Sequence, residues 1–556
     1  MSGKLVSSFA IAIMLLSTLL APIVTSENAA AASIDTNGSI MDLVDKDILH
    51  GYAEDIVAIS EDNLAYRVAG SEGANETADH ILSTFQGFGL DSRTESFDFT
   101  NWDLNDRPSM TVDADGDWAT VDDQVMVTSF SSESYSLSSN LSDPVKGIAY
   151  LPLPEAETRT DVELFFSLPY RYWNDYNLTD EIVIVPKEIR WNNYLESTLI
   201  GKLSREGPAG VIFSWYYDWN SDTPDIQLGS AGGRPFSYNG DYLWSLGLSC
   251  GVVNYTDGEY LRSIVDSGTP QVNYRINSTL YQGQQTNVIA TIPGDDHPEK
   301  QLLITAHYDS VMCSGYIDNA AGVAAMLETA RVMKIAYDSG TWKPEISVVF
   351  VAFAAEELSL VGSAYFVTAN EIGGIVGVIN LDSIGSQTMQ ATHPASEARI
   401  GIDEFFEEVA DQEDVPFEYS AGGASDQASF ISPGFAVGEV FDLWGTRFSL
   451  TTSDEVPDSV LVTSSPLFMD EGDDGMIGLA HTRLDVPNPE GHDYWNAKER
   501  LYQQSRVIVG VSVFLLSGAY TNDISEPTWQ PYVFAIAIIV AVGILFMVFR
   551  NRIKGM

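Results

Sequence analysis

Side chains that can bind metal ions or move protons stand at the ends of apolar runs in this chain. They are His307 and Asp309 after residues 302–306, Glu356 and Glu357 after residues 346–355, and Asp382 after residues 377–381. Asp318 stands just before a predicted helix. Hydrolytic zinc centres use histidine nitrogen and carboxylate oxygen ligands and keep one position open for water. A pair of zinc ions about 4 Å apart also needs a bridging carboxylate. The residue types therefore favour metal-assisted hydrolysis. The five candidate ligands are His307, Asp318, Glu357, Asp382 and a histidine distant in the sequence.

The elements that position these side chains alternate between strands and helices from residue 286 onward. Strands are predicted at residues 287–292, 302–306, 346–354, 374–381 and 435–441, and helices at 320–336, 363–370 and 402–411. The run at 346–354 is almost continuously apolar, as a strand buried on both faces requires. This alternation predicts an α/β fold with a mixed, mostly parallel sheet sandwiched by helices. Active sites of such sheets lie beyond the carboxyl ends of the strands, where the polar residues fall.

Each of these residues also has an ordinary structural explanation. A single histidine is more often hydrogen-bonded in a core than bound to metal. An Asp before a helix, such as Asp318, is commonly an N-cap, and Glu356 with Glu357 could simply begin a solvated helix. The metal interpretation is favoured because most of the set clusters at strand ends. The chain also has only seven histidines, among them His307 and His481.

The motifs around these residues resemble, in order, those of the M28 family of di-zinc aminopeptidases. They are His307-Tyr308-Asp309-Ser310, Ile317-Asp318-Asn319-Ala320-Ala321-Gly322, Phe353-Ala354-Ala355-Glu356-Glu357, Asn380-Leu381-Asp382-Ser383-Ile384-Gly385 and His481-Thr482-Arg483-Leu484-Asp485. The resemblance covers residues 284–520 and a helical start at 43–100, where Arg67-Val68-Ala69-Gly70-Ser71 is similar to an early family stretch. It implies a zinc-peptidase-like fold and hydrolysis of N-terminal residues from peptide substrates.

The same resemblance implies a set of five ligands for two zinc ions (Zn2+) per chain. His307 and Asp382 would bind one ion, and Glu357 and His481 would bind the other. Asp318 would bridge the two ions.

The resemblance further implies roles for residues that do not bind metal. Glu356 would be the general base, which takes a proton from the attacking water and passes it to the leaving amine. Asp309 would orient His307, and Asp485 would support the loop of His481. A cis peptide bond is expected after Asp318.

A few positions depart from the family pattern or have no role in it. Gln427, in Ser425-Asp426-Gln427, stands where many members have His, which concerns the pocket rather than the metal centre. Ile317 replaces a residue that is often acidic. Tyr308, Phe441 and Trp444 are candidates for a side-chain pocket, with core packing the favoured interpretation. The two cysteines, Cys250 and Cys313, could form a disulfide or remain buried thiols.

Residues 105–280 differ from the rest of the chain in their pattern of predicted elements. Short β-like runs occur at 181–185, 209–213 and 248–254, with helices predicted at 195–205 and 258–267. This β-rich insertion resembles a protease-associated domain, which implies a role in substrate access without catalytic residues. The peptidase domain is then split between residues 43–104 and 281–520.

The two ends of the chain carry membrane-targeting patterns. Residues 1–32 read as a signal peptide, with an apolar run and a small-residue cleavage site. Residues 532–549 contain no charged residue and reach about the length needed to cross a bilayer. Positive residues in the tail, 550–556, mark the cytoplasmic side. These patterns predict a single-pass cell-membrane protein with an extracellular catalytic domain.

The charge of the chain is strongly negative. Lys and Arg total 28 against 78 Asp and Glu, a net charge of −50. Nucleic acid is excluded as a partner because phosphate binding needs clustered basic residues. The acidic excess is spread along the chain, which favours a hydrated surface suited to a salty exterior over an ordinary acidic ectodomain.

Three alternatives to an aminopeptidase remain open from the sequence. A carboxypeptidase of the same superfamily could share every ligand. A glutaminyl-cyclase-like enzyme would share the fold and use one zinc ion. A non-catalytic membrane receptor or scaffold is disfavoured, since all five ligands and Glu356 are present.

Overall fold

Two eight-stranded β-sheets contain most of the strands in the computed structural model. The structure describes residues 40–113, 118–122, 126–127, 146–150, 182–186, 205, 207–214, 237–238, 241–242, 248–253, 260–261, 263, 271–358, 360–392, 401–420, 425–431, 457–465, 480, 485–487 and 497–519. The first sheet positions the candidate site, and the second lies within the predicted insertion.

The main sheet is mixed, with a parallel centre. Its strands are β1 (Asp91–Leu104), β2 (Ser278–Ile292), β3 (His297–His307), β4 (Ile346–Phe353), β5 (Ile375–Leu381), β6 (Thr388–Thr392), β7 (Phe417–Ser420) and β8 (Asp458–Ser465). Their order across the sheet is β1-β2-β4-β3-β5-β8-β6-β7. The neighbouring strands β4, β3, β5 and β8 run parallel to one another. His307 pairs with Phe353 and Leu381 pairs with Val462, so the carboxyl ends of these four strands meet at one edge.

Helices cover both faces of the main sheet. They are α1 (Lys46–Asp62), α2 (Glu72–Gly87), α3 (Ala321–Ser339), α4 (Val361–Ala369), α5 (Ile402–Gln412), α6 (Ala428–Ile431) and α7 (Ala497–Phe514). On strand β4, Val348 and Phe350 face the larger core cluster, which includes side chains of α1, α2, α3 and α7. The alternating residue Val349 faces a smaller cluster with Phe366 of α4 and Phe430 of α6. The predicted α/β sandwich is therefore confirmed.

The second sheet is built from strands between residues 109 and 275. In order across the sheet these are Trp118–Asp122, Ser109–Asp113, Gln271–Arg275, Lys146–Tyr150, Ile182–Pro186, Gly210–Ser214, Cys250–Val253 and Met126–Val127. Three of the strands match the runs predicted at 181–185, 209–213 and 248–254. The β-rich character expected of this stretch is present in its described residues, while its assignment as a protease-associated domain stays a prediction.

Several predicted segments lie outside the described residues. They are the signal peptide at 1–32, the strand at 435–441, the membrane segment at 532–549 and the tail at 550–556, together with most of the helices expected at 195–205 and 258–267. Within the described part of the chain, the structure contains no helix with the length and apolar character needed to span a bilayer.

Candidate metal centre

Three of the predicted ligands converge at the edge where the parallel strands end. His307 is the last residue of β3, Asp382 follows β5, and Asp318 lies in the turn before α3. One donor atom from each lies within 4.8 Å of the other two. His307 Nε2 is 3.1 Å from Asp318 Oδ1 and 3.4 Å from Asp382 Oδ1. Tetrahedral ligands about 2.1 Å from a zinc ion would be about 3.4 Å apart, so this spacing fits one bound cation.

The hydrogen bond of His307 sets the direction of its metal-binding nitrogen. Its Nδ1 lies 3.1 Å from the backbone carbonyl oxygen of Asp309, which can only accept, so Nδ1 carries a proton. The neutral ring then presents a lone pair at Nε2, an atom with no hydrogen-bond partner among the described residues. A lone pair beside two carboxylates is repelled unless a cation or a proton lies between them. The site therefore fits a metal ion.

Electrostatics favour a cation at this position. Burial lowers the pKa of His307, but the carboxylates of Asp382, Asp309 and Asp318 outweigh it and hold that pKa well above its usual value. The same carboxylates that raise this pKa would attract either a proton or a metal ion to Nε2. Proton and metal ion therefore compete for this nitrogen.

Asp309 joins the histidine to the two adjacent glutamates. Its carboxylate accepts the backbone N–H groups of Glu356 at 3.0 Å and Glu357 at 3.3 Å. The nearest carboxylate oxygen is 3.6 Å from His307 Nδ1, farther than the Asp309 carbonyl. Asp309 therefore holds His307 through its backbone and fixes the glutamates through its side chain. The sequence predicted that the Asp309 carboxylate orients His307, whereas the carbonyl is the nearer group, and the bonds to the glutamates were not predicted.

Glu356 is a buried carboxyl facing the cluster. Burial raises its pKa well above the ordinary value; His307 lowers the pKa, while Asp382 and Glu357 raise it further. A carboxyl with a raised pKa can hold a proton near neutral pH and release it again. The preceding residue, Ala355, adopts a left-handed conformation with a φ of +57°, which carries a backbone cost.

Asn319 ties the turn of Asp318 to the end of β5. Its Nδ2 donates to the Leu381 carbonyl at 2.8 Å. Its Oδ1 accepts the N–H groups of Gly322 at 3.1 Å and Ser383 at 3.2 Å. The expected cis peptide bond between Asp318 and Asn319 is present. Sequence reasoning assigned no contact to the Asn319 side chain, although its place directly after a ligand was a usable signal.

Asp485 holds the turn of Asp318 from the other side. Its carboxylate accepts the N–H of Ile317 at 2.6 Å and of Asp318 at 3.2 Å, and its carbonyl accepts the N–H of Tyr316 at 3.0 Å. Burial raises the pKa of Asp485 to about 7, against the lowering effect of the Ile317 hydrogen bond. Asp485 thus contacts the loop of Asp318, while its predicted support of the His481 loop stays a prediction because residues 481–484 lie outside the described residues.

The structure places the remaining predicted residues as follows. Glu357 is buried beside Glu356 but does not belong to the three-residue donor cluster found in the described part of the chain. His481, Phe441 and Trp444 lie outside the described residues. Tyr308 is 1 % exposed and donates to the Thr286 carbonyl at 2.9 Å, so it packs in the core.

The structure also shows the surroundings of the two cysteines and of Gln427, which stands where many family members have His. Cys250 and Cys313 are both buried and are not joined by a disulfide, which decides between the two alternatives. Gln427 is buried, and its Oε1 accepts from Asn380 Nδ2 at 3.3 Å. Gln427 therefore bonds a residue at the carboxyl end of β5, two positions before Asp382.

Comparison with known families gives one family match. Residues 287–461 match the family model described as Peptidase family M28. Among curated proteins, a "Probable zinc metalloprotease" of Pyricularia oryzae is 36% identical over 114 residues, which is 18% of this chain and 22% of that protein. A "Leucine aminopeptidase 2" of Trichophyton equinum is 28% identical over 257 residues, covering 43% of this chain and 48% of the relative. This chain thus spans less than half the length of these relatives.

Solved structures share the fold. A peptidase M28 precursor from Shewanella amazonensis has a TM-score of 0.58 at 17% identity, over 87% of this chain and 97% of that one. A zinc aminopeptidase from Bacillus subtilis has a TM-score of 0.54 at 17% identity, over 84% and 94% of the two chains. At this identity the likeness establishes the fold.

Proposed function

We propose that this chain is a zinc-dependent aminopeptidase, which hydrolyses the N-terminal residue from peptide substrates. The observation that carries the proposal is the convergence of His307, Asp318 and Asp382, with Glu356 buried beside them. The match of residues 287–461 to Peptidase family M28 and the names of similar proteins support the same reaction class.

The proposed ligand set is completed by two residues beyond the observed cluster. Glu357 and His481 would bind a second ion, with Asp318 as the bridge between the two. Bound zinc would lower the pKa of water from about 16 toward 7 and polarise the scissile carbonyl.

Glu356 would move the proton in this reaction. Its carboxylate accepts a proton from the attacking water, and the protonated carboxyl then delivers it to the nitrogen of the leaving amine. Burial keeps bulk water from competing for that proton and raises the Glu356 pKa above its ordinary value. The bonds from Asp309 to the N–H groups of Glu356 and Glu357 keep base and ligand in fixed relative positions.

The location of the enzyme belongs to the same proposal. The leader at 1–32 and the apolar segment at 532–549 support a catalytic domain outside the cell, tethered by one membrane span. The insertion at 105–280 would shape access of peptides to the site.

The direct test replaces Glu356 by Gln, which keeps the shape and removes the base. Turnover of an aminoacyl-chromophore should fall by about 10²–10⁴-fold, while zinc content by elemental analysis stays equal to wild type. Glu371→Gln, at an exposed position, is the matched control and should keep full activity. Retained turnover in Glu356→Gln would show that another group moves the proton.

The end of the peptide that is cleaved separates the proposal from its rivals. Hydrolysis of one unblocked test peptide at high salt should release the N-terminal residue and stop when a chelator removes the metal. Release of the C-terminal residue would indicate a carboxypeptidase, and cyclisation of an N-terminal Gln with one zinc per chain a glutaminyl-cyclase-like enzyme. Zinc binding without any turnover would indicate a receptor or scaffold.

A further inference from the structure

Arg67 is a buried cation beneath the loop that joins His307 to Asp318. Its side chain is fully buried, although it lies about 240 residues before that loop in the sequence. The guanidinium donates to four acceptors: the carbonyls of Tyr308 at 2.7 Å, Gly315 at 2.6 Å and Ser314, and Ser60 Oγ at 3.0 Å. Three of the four are backbone atoms of the metal-site loop. The family resemblance assigns no role to this arginine.

The backbone of Arg67 is bonded to the same loop. Its N–H donates to Ser310 Oγ at 3.1 Å, and its carbonyl accepts the N–H of Ser310 at 3.2 Å. Ser310 Oγ in turn lies 2.9 Å from the carbonyl of Cys313. Main chain and side chain of one residue thus hold the beginning, middle and end of the loop.

The charge of Arg67 is not taken up by a close ion pair. In the described part of the chain no carboxylate lies within ion-pair distance of its guanidinium. Burial lowers the pKa of Arg67, whereas the neighbouring Cys313 and the carboxylates of Asp485, Asp309 and Asp318 raise it. A buried charge is costly, and carbonyl acceptors compensate it only when several are in place. The position therefore demands the ordered loop.

We propose that Arg67 is a positioning residue for the metal centre. It fixes the loop carbonyls, and thereby the spacing between His307 at the start of the loop and Asp318 at its end. The inference rests on the proposed metal-dependent function and adds to it a residue outside the segment that matches the family model, residues 287–461.

The local geometry explains why this position needs arginine. A planar guanidinium presents its donors in a fixed fork, which a single lysine ammonium cannot reproduce. Gly315 has a φ of +57°, and a Cβ at this residue would lie 2.9 Å from Arg67 Nη2. The loop therefore passes so close to the guanidinium that residue 315 has no room for a side chain larger than that of glycine.

The test is Arg67→Lys in the full chain, with metal affinity measured by chelator competition and no substrate present. We expect zinc affinity to fall by about 10–100-fold, as for other residues that orient metal ligands. In the metal-free protein, amide hydrogen exchange of residues 310–318 should accelerate. Arg506→Lys is the matched control: Arg506 donates to the Met41 carbonyl at 3.0 Å and to Glu413 at 2.7 Å, away from the site. This control should lower thermal stability and keep wild-type zinc affinity.

Unchanged zinc affinity and unchanged exchange of residues 310–318 in Arg67→Lys would overturn the proposal, even if the melting temperature falls. If that variant does not fold, Ser60→Ala removes one acceptor of the guanidinium, and a several-fold loss of affinity is expected; wild-type affinity would count against the proposal. The readouts need no turnover, so the aminopeptidase assignment can fail separately. A chain that binds zinc in an Arg67-dependent way but cleaves no peptide overturns only that assignment.

Discussion

Asn319 shows how one side chain joins two acidic residues of the candidate metal centre. It bonds the carbonyl of Leu381 and the N–H of Ser383, the neighbours of Asp382 on both sides. Asp318 precedes Asn319 directly, so the amide fixes the separation of two carboxylates that repel each other. The same carboxylates must stay close to share a cation.

We predict that Asn319→Ala weakens both folding and metal binding. The substitution leaves the Leu381 carbonyl and two N–H groups in a buried place without their partner, at about 1–3 kcal/mol for each unsatisfied group. Urea denaturation and zinc competition measure the two effects. Asn370→Ala is the control, because Asn370 bonds Glu95 and the Phe366 carbonyl ahead of the first residue of β5, whereas Asp382 follows the last residue of that strand. Equal zinc affinity in the two variants would contradict the role of Asn319.

At the scale of elements, strands β1 and β2 form a long ribbon that leads from the main sheet to the second sheet. The two strands pair from Asp91 with Thr291 to Leu104 with Ser278. The turn before α2 holds the far part of this ribbon: Tyr66 Oη donates to the Asp103 carboxylate and accepts the Leu104 N–H at 2.9 Å. At Gly70, a Cβ would lie 2.8 Å from Asn101 Cα. The turn that carries Arg67 thus contacts both the ribbon and the metal-site loop.

Tyr66→Phe should loosen this attachment of the ribbon. The buried hydroxyl is lost and the Asp103 carboxylate loses a donor, which should lower the free energy of unfolding by about 1–3 kcal/mol. Urea denaturation followed by tryptophan fluorescence provides the measurement. Tyr260→Phe, at an exposed tyrosine outside the ribbon, should change it by less than about 0.5 kcal/mol. A neutral result for Tyr66→Phe would mean that the other contacts of this turn hold the ribbon, namely the packing at Gly70, the bond from the Glu72 N–H to Asp103 at 3.2 Å and the bond from Tyr281 Oη to the Gly70 carbonyl at 3.4 Å.

At the scale of the whole molecule, the net charge of −50 dominates the electrostatics. Surface ion pairs link α1 to α7, as between Lys46 and Glu499 at 2.7 Å and between Lys498 and Asp47 at 2.5 Å. Such exposed pairs contribute about 0–1 kcal/mol each. Since acidic residues outnumber basic ones 78 to 28, repulsion among carboxylates outweighs these pairs.

Stability should therefore rise with salt. The Debye length falls from about 10 Å at 0.1 M to about 3 Å at 1 M, so repulsion between separated carboxylates is screened. We expect the melting temperature, measured by circular dichroism, to increase over this range of KCl. Sucrose at the same osmolality is the control, because it stabilises without screening. A melting temperature that is constant or lower at 1 M KCl would mean that the ion pairs outweigh the repulsion.

Local patterns were sufficient for the parts of the fold that depend on neighbouring residues. The apolar runs at 302–306, 346–354 and 374–381 each predicted a strand that the structure contains. Strand β8 was missed, because Asp458–Ser465 mixes polar and apolar residues although it lies inside the sheet. Its place depends on pairing with β5 and β6, which no local pattern encodes.

By itself, the sequence placed His307, Asp382 and Glu356 after strands and Asp318 before a helix, and so it identified these four residues as candidates. Only the tertiary structure decided how they are held. Arg67 reaches the loop across 241 residues and Asp485 reaches Ile317 across 168. Contacts over such separations arise from the order of strands in the sheet and from the packing of helices on it. The apolar pattern of a strand does not depend on which strands lie beside it, so the sequence pattern alone could not predict these contacts.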